Sequence, residues 1–521
     1  MIPFIMEWKE CPLSCAIGID IGTTAIKLLV LDDQHRIQYE DSVEHPLYTE
    51  SPGWAEEDPA VWWEHTTALL QRAMSHLAME NGGKTPEVRA IGVSGMVPAI
   101  ILLDESGRPL RRSIQQNDAR CVEQIEEIKN TFDQEELFAR TGGYTNQQHV
   151  LPRLLWIRKH EPDVWSRIHR VCGSYDWIVH CLTGRWSLEE NWAVESGLLD
   201  IRTRSWIEEY LDSHEIPLTW LPPVCAPLSI VGNVLPKVEK NTGVPSNAVV
   251  IAGSADHVAS ALAANVVEEG DLLIKFGGAG DILFCTDQFI VHEKLFFDYH
   301  DIPGKYLLNG CMASSGSLVR WFVENFVPPL PAGNVFRELD EQAEQIGPGC
   351  DGLVVLPYLL GEKTPIFDPK ARGVFFGLSL HHTSAHLFRA ILEAVIYGFR
   401  HHVDVLAERG LRPTRVFATN GGAKSRLWLQ IAADILGLPL TSFNSHPGSS
   451  LGAAFLAGKS VGMYRDWSEM DDCLPERQSY EPDPEAAATY NVTYGVYRNL
   501  YESLKDDFHR VSEYFDDSRM R

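Results

Sequence analysis

Apolar residues fall along the chain in short blocks punctuated by glycine, and two of these blocks match. Residues 16–32 (AIGIDIGTTAIKLLVLD) read as strand, Gly-Thr-Thr turn, strand, which predicts a β-hairpin. Residues 271–287 (DLLIKFGGAGDILFCTD) repeat the plan, and when 18–32 are laid on 273–287, Gly22 falls on Gly277 and Asp32 on Asp287. Two similar domains in tandem are the natural inference, with a boundary near 262–270; generic hairpin chemistry is the alternative. Between the hairpins, Asp58-Pro59 marks a helix start, and Val61, Trp62, Leu69, Leu70, Ala73 and Leu77 carry the helical period to about Glu80. Residues 88–93 and 99–104 predict strands separated by the loop 94–98, a plausible ligand wall. Helical and irregular segments follow to about residue 241.

An apolar strand at 248–252 then ends in Gly253-Ser254-Ala255-Asp256-His257 ahead of the small-residue helix 258–264. After the second hairpin, 386–409 reads as a long helix stopped by Gly410. Residues 416–418 read as a strand leading through Asn420-Gly421-Gly422-Ala423-Lys424-Ser425 into a helix stopped by Gly437. A small-residue helix at 451–457 and a terminal helical segment over 483–521 complete the pattern. The turn-rich stretch 357–378 reads as mostly structural, with Phe375-Phe376 filling a core; a ligand role for Glu362 or Arg372 is the lesser reading.

Composition narrows the function classes. The 521 residues carry 45 Lys+Arg against 71 Asp+Glu, a net charge of −26, which disfavours phosphate backbones and anionic lipid in the absence of any basic run. No window is apolar enough to span a bilayer, and the N-terminus lacks the pattern of a signal peptide. The ten cysteines are scattered, with only Cys11 and Cys15 close together and no zinc spacing. A reducing cytoplasm is the expected compartment.

Four places carry candidate chemistry. Asp20-Ile21-Gly22-Thr23-Thr24 joins a glycine turn and two hydroxyls, suited to phosphate oxygens, to a carboxylate suited to hydrated Mg2+; a plain tight hairpin is the alternative. Asp256, just beyond a strand, can accept a proton from a substrate hydroxyl or simply cap the following helix. His257 is open between a substrate hydrogen bonder and a packed surface histidine. Gly277-Gly278-Ala279-Gly280 and Gly421-Gly422-Ala423 are glycine turns that let a nucleotide approach the backbone, without the spacing of a dinucleotide site.

The ordered set IGIDIGTTAIKLLVLD, SPGWAEEDPAVWW, ILLDESGRPLRRSIQQNDAR, GSADHVASALAANVVEEGDLL, PYLLGEKTPIFDPKARGVFFGL and TNGGAKSRLWLQIAADILG resembles the FGGY carbohydrate kinases, particularly the xylulokinase branch, over nearly the whole chain. The resemblance implies an α/β fold of two actin-like (RNase H-like) domains with an interdomain ATP/sugar cleft. The expected domains are 14–264 and 265–485, followed by a helical tail at 486–521. By position, Asp256 is implied as the catalytic base and, with Asp20, as a metal ligand. Gly22, Thr23, Thr24, Gly277, Gly278 and Gly280 are implied for phosphate, and Gly421, Gly422 and Ser425 for adenosine. Val97, Pro98, Gln116, Asp118 and His257 fall on the sugar side. ATP and Mg2+ are the implied cofactors, a sugar or polyol the partner, and a homodimer is left open. A regulator of the same fold that binds nucleotide and sugar without turnover is the alternative.

The chain also departs from the family pattern. Where xylulokinases commonly read S-G-Q-M-H-G, it has Ser94-Gly95-Met96-Val97-Pro98-Ala99; the usual Asp-Asn is Asp256-His257; a Trp is replaced by Gln116; and G-T-S-G becomes Gly277-Gly278-Ala279-Gly280. The sugar-side changes leave the acceptor open among ketoses and polyols.

Overall fold

The computed structural model describes residues 14–80, 87–327, 335–443 and 445–519. Cys11 and the end of the expected C-terminal helix lie outside them. The chain forms two compact units. Unit 1 runs to Asn265 and adds Asp298–Pro303 and Pro447–Cys473; unit 2 comprises Val266–Phe297, Gly304–His446 and the chain from Leu474. A single cut after 264 therefore does not describe the division, because the chain returns to unit 1 twice.

Unit 1 is built on a sheet ordered Ile230–Asn233, Val249–Ile251, Glu87–Gly95, Ser14–Ile21, Ala25–Asp32 and Ile37–Glu44, with Ser254–Ala255 also pairing on Glu87–Gly95. The predicted hairpin is present, its register running from Cys15 opposite Asp32 to Ile21 opposite Ile26. Strand Ser14–Ile21 then runs parallel to Glu87–Gly95 on its other side. Both strands of the hairpin are almost continuously buried, as strands covered on both faces must be. Helix Pro59–Glu80 begins where Asp58 accepts the Ala60 N–H at 2.9 Å, and packs on the outer strands.

Unit 2 repeats the plan. Its sheet contains, in order, Tyr306–Met312, Gly280–Thr286, Asp271–Phe276, Arg415–Thr419, Leu440–Phe443 and Arg477–Tyr480. Here too an antiparallel hairpin closes over a glycine turn, from Leu272 opposite Phe284 to Phe276 opposite Gly280, and its first strand lies parallel to the next, Arg415–Thr419. The match between the two hairpins in the sequence thus extends to sheet topology. Helix Ser384–Glu408 forms much of the unit 2 core, and Gly410 and Gly437 follow their helices at φ 76° and 66°, as their stop positions require. One expectation fails: Phe375-Phe376 does not fill a core. Strand Val374–Phe376 pairs only with Val354–Leu356, and Phe376 stays 48% exposed. Glu362 and Arg372 are structural: Glu362 accepts the Ala313 and Lys363 N–H groups, and Arg372 donates to the carbonyls of Pro369 and Ala371.

The packing that matters most for unit 1 involves helix Ser449–Ser460, which lies on strands Ser14–Ile21 and Glu87–Gly95 and against helix Asp256–Ala263. Glycine makes each contact possible. A Cβ on Gly18 would stand 1.9 Å from the Ser450 carbonyl oxygen, one on Gly92 2.2 Å from that of Ala453, and one on Gly452 2.1 Å from that of Ala259. Backbone cannot yield as a flexible side chain does, so these are obligatory glycines. Among the described residues, no helix is long and apolar enough to cross a membrane, and the cysteines are free thiols.

Gly18→Ala is expected to destabilise unit 1 by about 3 kcal/mol or more through forced backbone displacement. Gly495→Ala, on a helix where a Cβ meets nothing within 4 Å, is expected to be neutral or stabilising by up to about 1 kcal/mol. Thermal melts of the two variants, with opposite signs expected, check the packing.

Candidate active site

Asp20 is the last but one residue of the first strand of unit 1 and only 4% exposed. Ser94, from the parallel strand beside it, donates to its Oδ1 at 2.9 Å. Burial raises the Asp20 carboxyl above the usual range, and the charge of Asp256 raises it further. Lys27 and the hydroxyls of Ser449 and Ser94 pull it back. Asp20 and Asp256 therefore share one electrostatic site although 236 positions separate them in sequence.

Asp256 is the first residue of helix Asp256–Ala263, and the capping position belongs to Ala255, which has no side chain to cap with. The capping role that competes for Asp256 in the sequence is thus not the one it takes. Its carboxylate is 35% exposed at a helix start, where the backbone dipole favours negative charge. His257 Nδ1 stands 3.5 Å from Asp256 Oδ1, and His257 Nε2 stands 3.0 Å from Asp298 Oδ2. Burial works against a charged imidazole there, but the Asp298 and Asp256 carboxylates outweigh it and hold His257 protonated well above the ordinary range. His257 is thus neither a loose surface group nor free to rotate.

The Gly22-Thr23-Thr24 turn is supported from beneath. The Gly22 N–H closes the turn onto the Ala25 carbonyl at 3.2 Å, so Gly22 supplies chain conformation rather than an open donor. Thr23 and Thr24 remain the groups that can face a phosphate. Thr23 Oγ1 donates to Met96 Sδ at 2.9 Å, tying the turn to the loop after strand Glu87–Gly95. His45 Nε2 lies 2.9 Å from the Gly22 carbonyl, and its Nδ1 lies 3.4 Å from the buried Glu57 carboxyl. Burial lowers His45 and pushes Glu57 up to about 8 against the Trp62 donor. Burial thus favours the neutral form of both side chains, and His45 Nε2 faces the turn carbonyl.

The expected sugar wall is a dry loop. Met96, Val97, Pro98 and Ala99 are all buried, with a cis Val97-Pro98 peptide. Three buried donors hold its carbonyls: Ser174 Oγ on Met96 (3.4 Å), Arg153 on Pro98 (2.6 Å) and Trp192 Nε1 on Ala99 (2.9 Å). Arg153 also donates to the carbonyls of Gln116 (3.0 Å) and Gln147 (3.2 Å), so one fully buried guanidinium joins two of the candidate sugar-side segments. Burial lowers it to about 10, which leaves it charged at neutral pH. Gln116 is half-buried and accepts from Gln148 at 2.7 Å. Asp118 departs from expectation. It is fully buried, with one oxygen on the Ala55 N–H and Arg120 and the other on the Arg120 N–H and Nε. All its acceptor directions serve the fold, so it shapes the wall rather than facing a sugar.

Unit 2 presents the other candidates. The Gly277 carbonyl accepts from Gly316, and the Gly278 carbonyl from Ser315 and Ser317, at the start of helix Gly316–Phe326. Trans peptides place each N–H opposite its carbonyl, so the Gly278 and Ala279 N–H groups point away from that helix. Among the described residues, a Cβ at Gly278 or Gly421 would meet nothing within 4 Å, so internal packing does not demand glycine at either. Gly280 packs on Phe399 and Gly422 on Trp428 and Phe276, which gives these two a structural reason. Ser425 caps helix Arg426–Leu436, accepting the Trp428 N–H at 3.1 Å.

The residues that sequence reasoning missed are Ser94, Ser449, His45, Glu57, Arg153 and Asp298. Glu57 and Ser94 lie in segments the sequence singles out but carry no sign of their own there; the other four lie outside them, and Ser449 reaches Asp20 from more than 400 positions away.

Residues 15–263 match the N-terminal domain, and residues 295–461 the C-terminal domain, of the FGGY family of carbohydrate kinases. The chain is 30% identical over 495 residues to the xylulose kinase of Escherichia coli (strain K12), covering 94% of this chain and 99% of that protein. The crystal structure of xylulose kinase from Rhodospirillum rubrum superposes with a TM-score of 0.89 at 40% identity, covering 95% of this chain and all of that one. That of gluconate kinase from Lactobacillus acidophilus superposes at 0.88 with 25% identity, covering 96% and 100%.

Glu57 holds a proton in the folded chain up to about pH 8, while its unfolded pKa is about 4.3, so its contribution to stability falls as pH rises between those values. Glu57→Gln, neutral at any pH, is expected to melt increasingly higher relative to the parent from about pH 5 to about pH 8, then at a constant interval. Parallel melts across that range check it. Arg153→Met is expected to lose about 3 kcal/mol or more, because the carbonyls of Pro98, Gln116 and Gln147 are left unpaired, as a denaturant titration would show.

Proposed function

The chain belongs to the FGGY family of carbohydrate kinases, and from that premise we propose that it transfers the γ-phosphoryl group of MgATP to a primary hydroxyl of a ketose, a xylulose-like pentulose, or a related polyol. The observation that carries this reading is a part-exposed carboxylate, Asp256, at the start of a helix packed on helix Ser449–Ser460, in the unit that buries Asp20 at the end of its first strand. One carboxylate is buried and fixed by hydroxyls; the other is exposed enough to meet a substrate.

Asp256 is assigned as general base. It takes the proton of the acceptor hydroxyl as that oxygen bonds to the γ-phosphorus, and the bond from phosphorus to the β–γ bridging oxygen breaks to release ADP. Thr23 and Thr24 are assigned to phosphate oxygens, with the turn held by His45. The Gly278 and Ala279 N–H groups of unit 2, beside Gly277 and Gly280, are assigned to phosphate as well, and Gly421 and Gly422, with the turn ended by Ser425, to adenosine. The mutual repulsion of Asp20 and Asp256 fits a bound cation, so these two residues would hold Mg2+, whose chemistry is to neutralise charge on the phosphate oxygens.

On the sugar side, Met96, Val97 and Pro98 offer an apolar wall, Gln116 a hydrogen-bonding edge and His257 a positive charge whose two N–H groups face Asp256 and Asp298. A wall of this kind reads the carbon face of an acceptor and leaves recognition of hydroxyls to Gln116. The relatives named for xylulose and for gluconate support a small sugar-derived acceptor.

A coupled assay for ADP, run with Mg2+ and a panel of ketoses, pentitols and sugar acids, is expected to show acceptor-dependent turnover. Asp256→Asn is expected to lower kcat by about 10²–10⁴-fold while the KM for ATP stays within about threefold. Near-parental kcat in that variant would remove Asp256 as the base.

A further inference from the structure

We infer that Asp298 is a positioning residue for phosphoryl transfer: it holds the far nitrogen of His257 so that the near edge of the ring fixes the Asp256 carboxylate. The inference rests on the assignment of Asp256 as base and goes beyond it, because Asp298 lies outside every motif and reaches Asp256 only through His257.

The three side chains form a line from interior to opening. Asp298 is fully buried, the His257 side chain is 20% exposed and that of Asp256 35%. His257 Nε2 lies 3.0 Å from Asp298 Oδ2, and Nδ1 lies 3.5 Å from Asp256 Oδ1. An imidazole engaged at both nitrogens has neither rotation nor flip left to it.

Asp298 is itself mounted rigidly. Asn191 reads both main-chain groups of the next residue, accepting the Tyr299 N–H at 2.9 Å and donating to the Tyr299 carbonyl at 3.0 Å. The Tyr299 hydroxyl donates to the Ile201 carbonyl, and the Arg204 guanidinium lies 4.0 Å over the Tyr299 ring. Glu195, on the same short helix as Asn191, sets its carboxyl against Asp298. Glu195, His257 and Asp298 place one ligand atom each within 4.8 Å of the others, so the three side chains form one compact cluster.

The test is a double-mutant cycle on the full chain with the acceptor that gives most ADP. Asp298→Asn is expected to lower kcat at least about tenfold, with both KM values within about threefold. In the His257→Asn background, the same change is expected to cost less than about threefold, since its route to the base is gone. Losses that multiply in the double variant, or a single variant within about twofold of the parent, would overturn the inference. Asp298→Glu keeps the charge and displaces it by one methylene; should the asparagine variant not fold, this one is expected to lose kcat comparably, and parental kcat would contradict the proposal. An active parent inactivated by Asp256→Asn but indifferent to Asp298 sinks only this inference, whereas indifference to Asp256→Asn sinks the assignment of the base.

Discussion

Helix Ser449–Ser460 lies so close to its neighbours that backbone touches backbone, and the rest of unit 1 is arranged around that contact. Gly18 and Gly92 remove side chains from two central strands, and Gly452 removes one from the helix face turned to helix Asp256–Ala263. The consequence reaches the chemistry directly. The start of the Ser449 helix puts a hydroxyl on Asp20, and the helix packed against it begins with Asp256. Two carboxylates from opposite ends of the first half of the chain thereby share a site. A wider spacing would bury the same apolar area less tightly and leave the carboxylates independent.

Around that pair, the remaining polar groups are held by hydrogen bonds whose donors or acceptors are themselves buried. The Gly22 turn rests on His45 and Glu57, and the loop from Met96 to Ala99 hangs by its carbonyls from Ser174, Arg153 and Trp192. Buried polar groups cost stability when unpaired, so each such network admits one arrangement. This is what allows a wall of apolar side chains with no polar group of its own to hold a fixed shape. The carboxylates are the exception: they repel one another, and a bound cation with phosphate would relieve the repulsion.

Much of this was legible in the sequence. Both hairpins, their glycine turns, the long helix after Ser384 and the stops at Gly410 and Gly437 follow from local periodicity and turn chemistry. Asp20 and Asp256 stand out because each lies at or just beyond the end of an apolar strand. What was not legible comes from far along the chain. Ser449 lies in a stretch that reads as part of the second domain, and Asp298 in a run of aromatic residues with no motif. Arg153 reads as an ordinary helical cation until its three carbonyl partners are seen. Asp118 misled in the other direction: the pattern marked a carboxylate, and the fold uses every acceptor direction it has on Ala55 and Arg120. Phe376 failed for a simpler reason: helix Ser384–Glu408 packs on the partner strand Val354–Leu356 and leaves the strand of Phe376 at the outer edge of the ribbon.

The central claim is that Asp20 and Asp256 act as one cation-binding site because helix packing holds them together. Mn2+ affinity, read by electron paramagnetic resonance in the presence of ADP, tests it without depending on turnover. Asp20→Asn and Asp256→Asn should each weaken Mn2+ binding by about tenfold or more, and the double variant should lose far less than the product of the two. Parental Mn2+ affinity in both single variants would contradict the account.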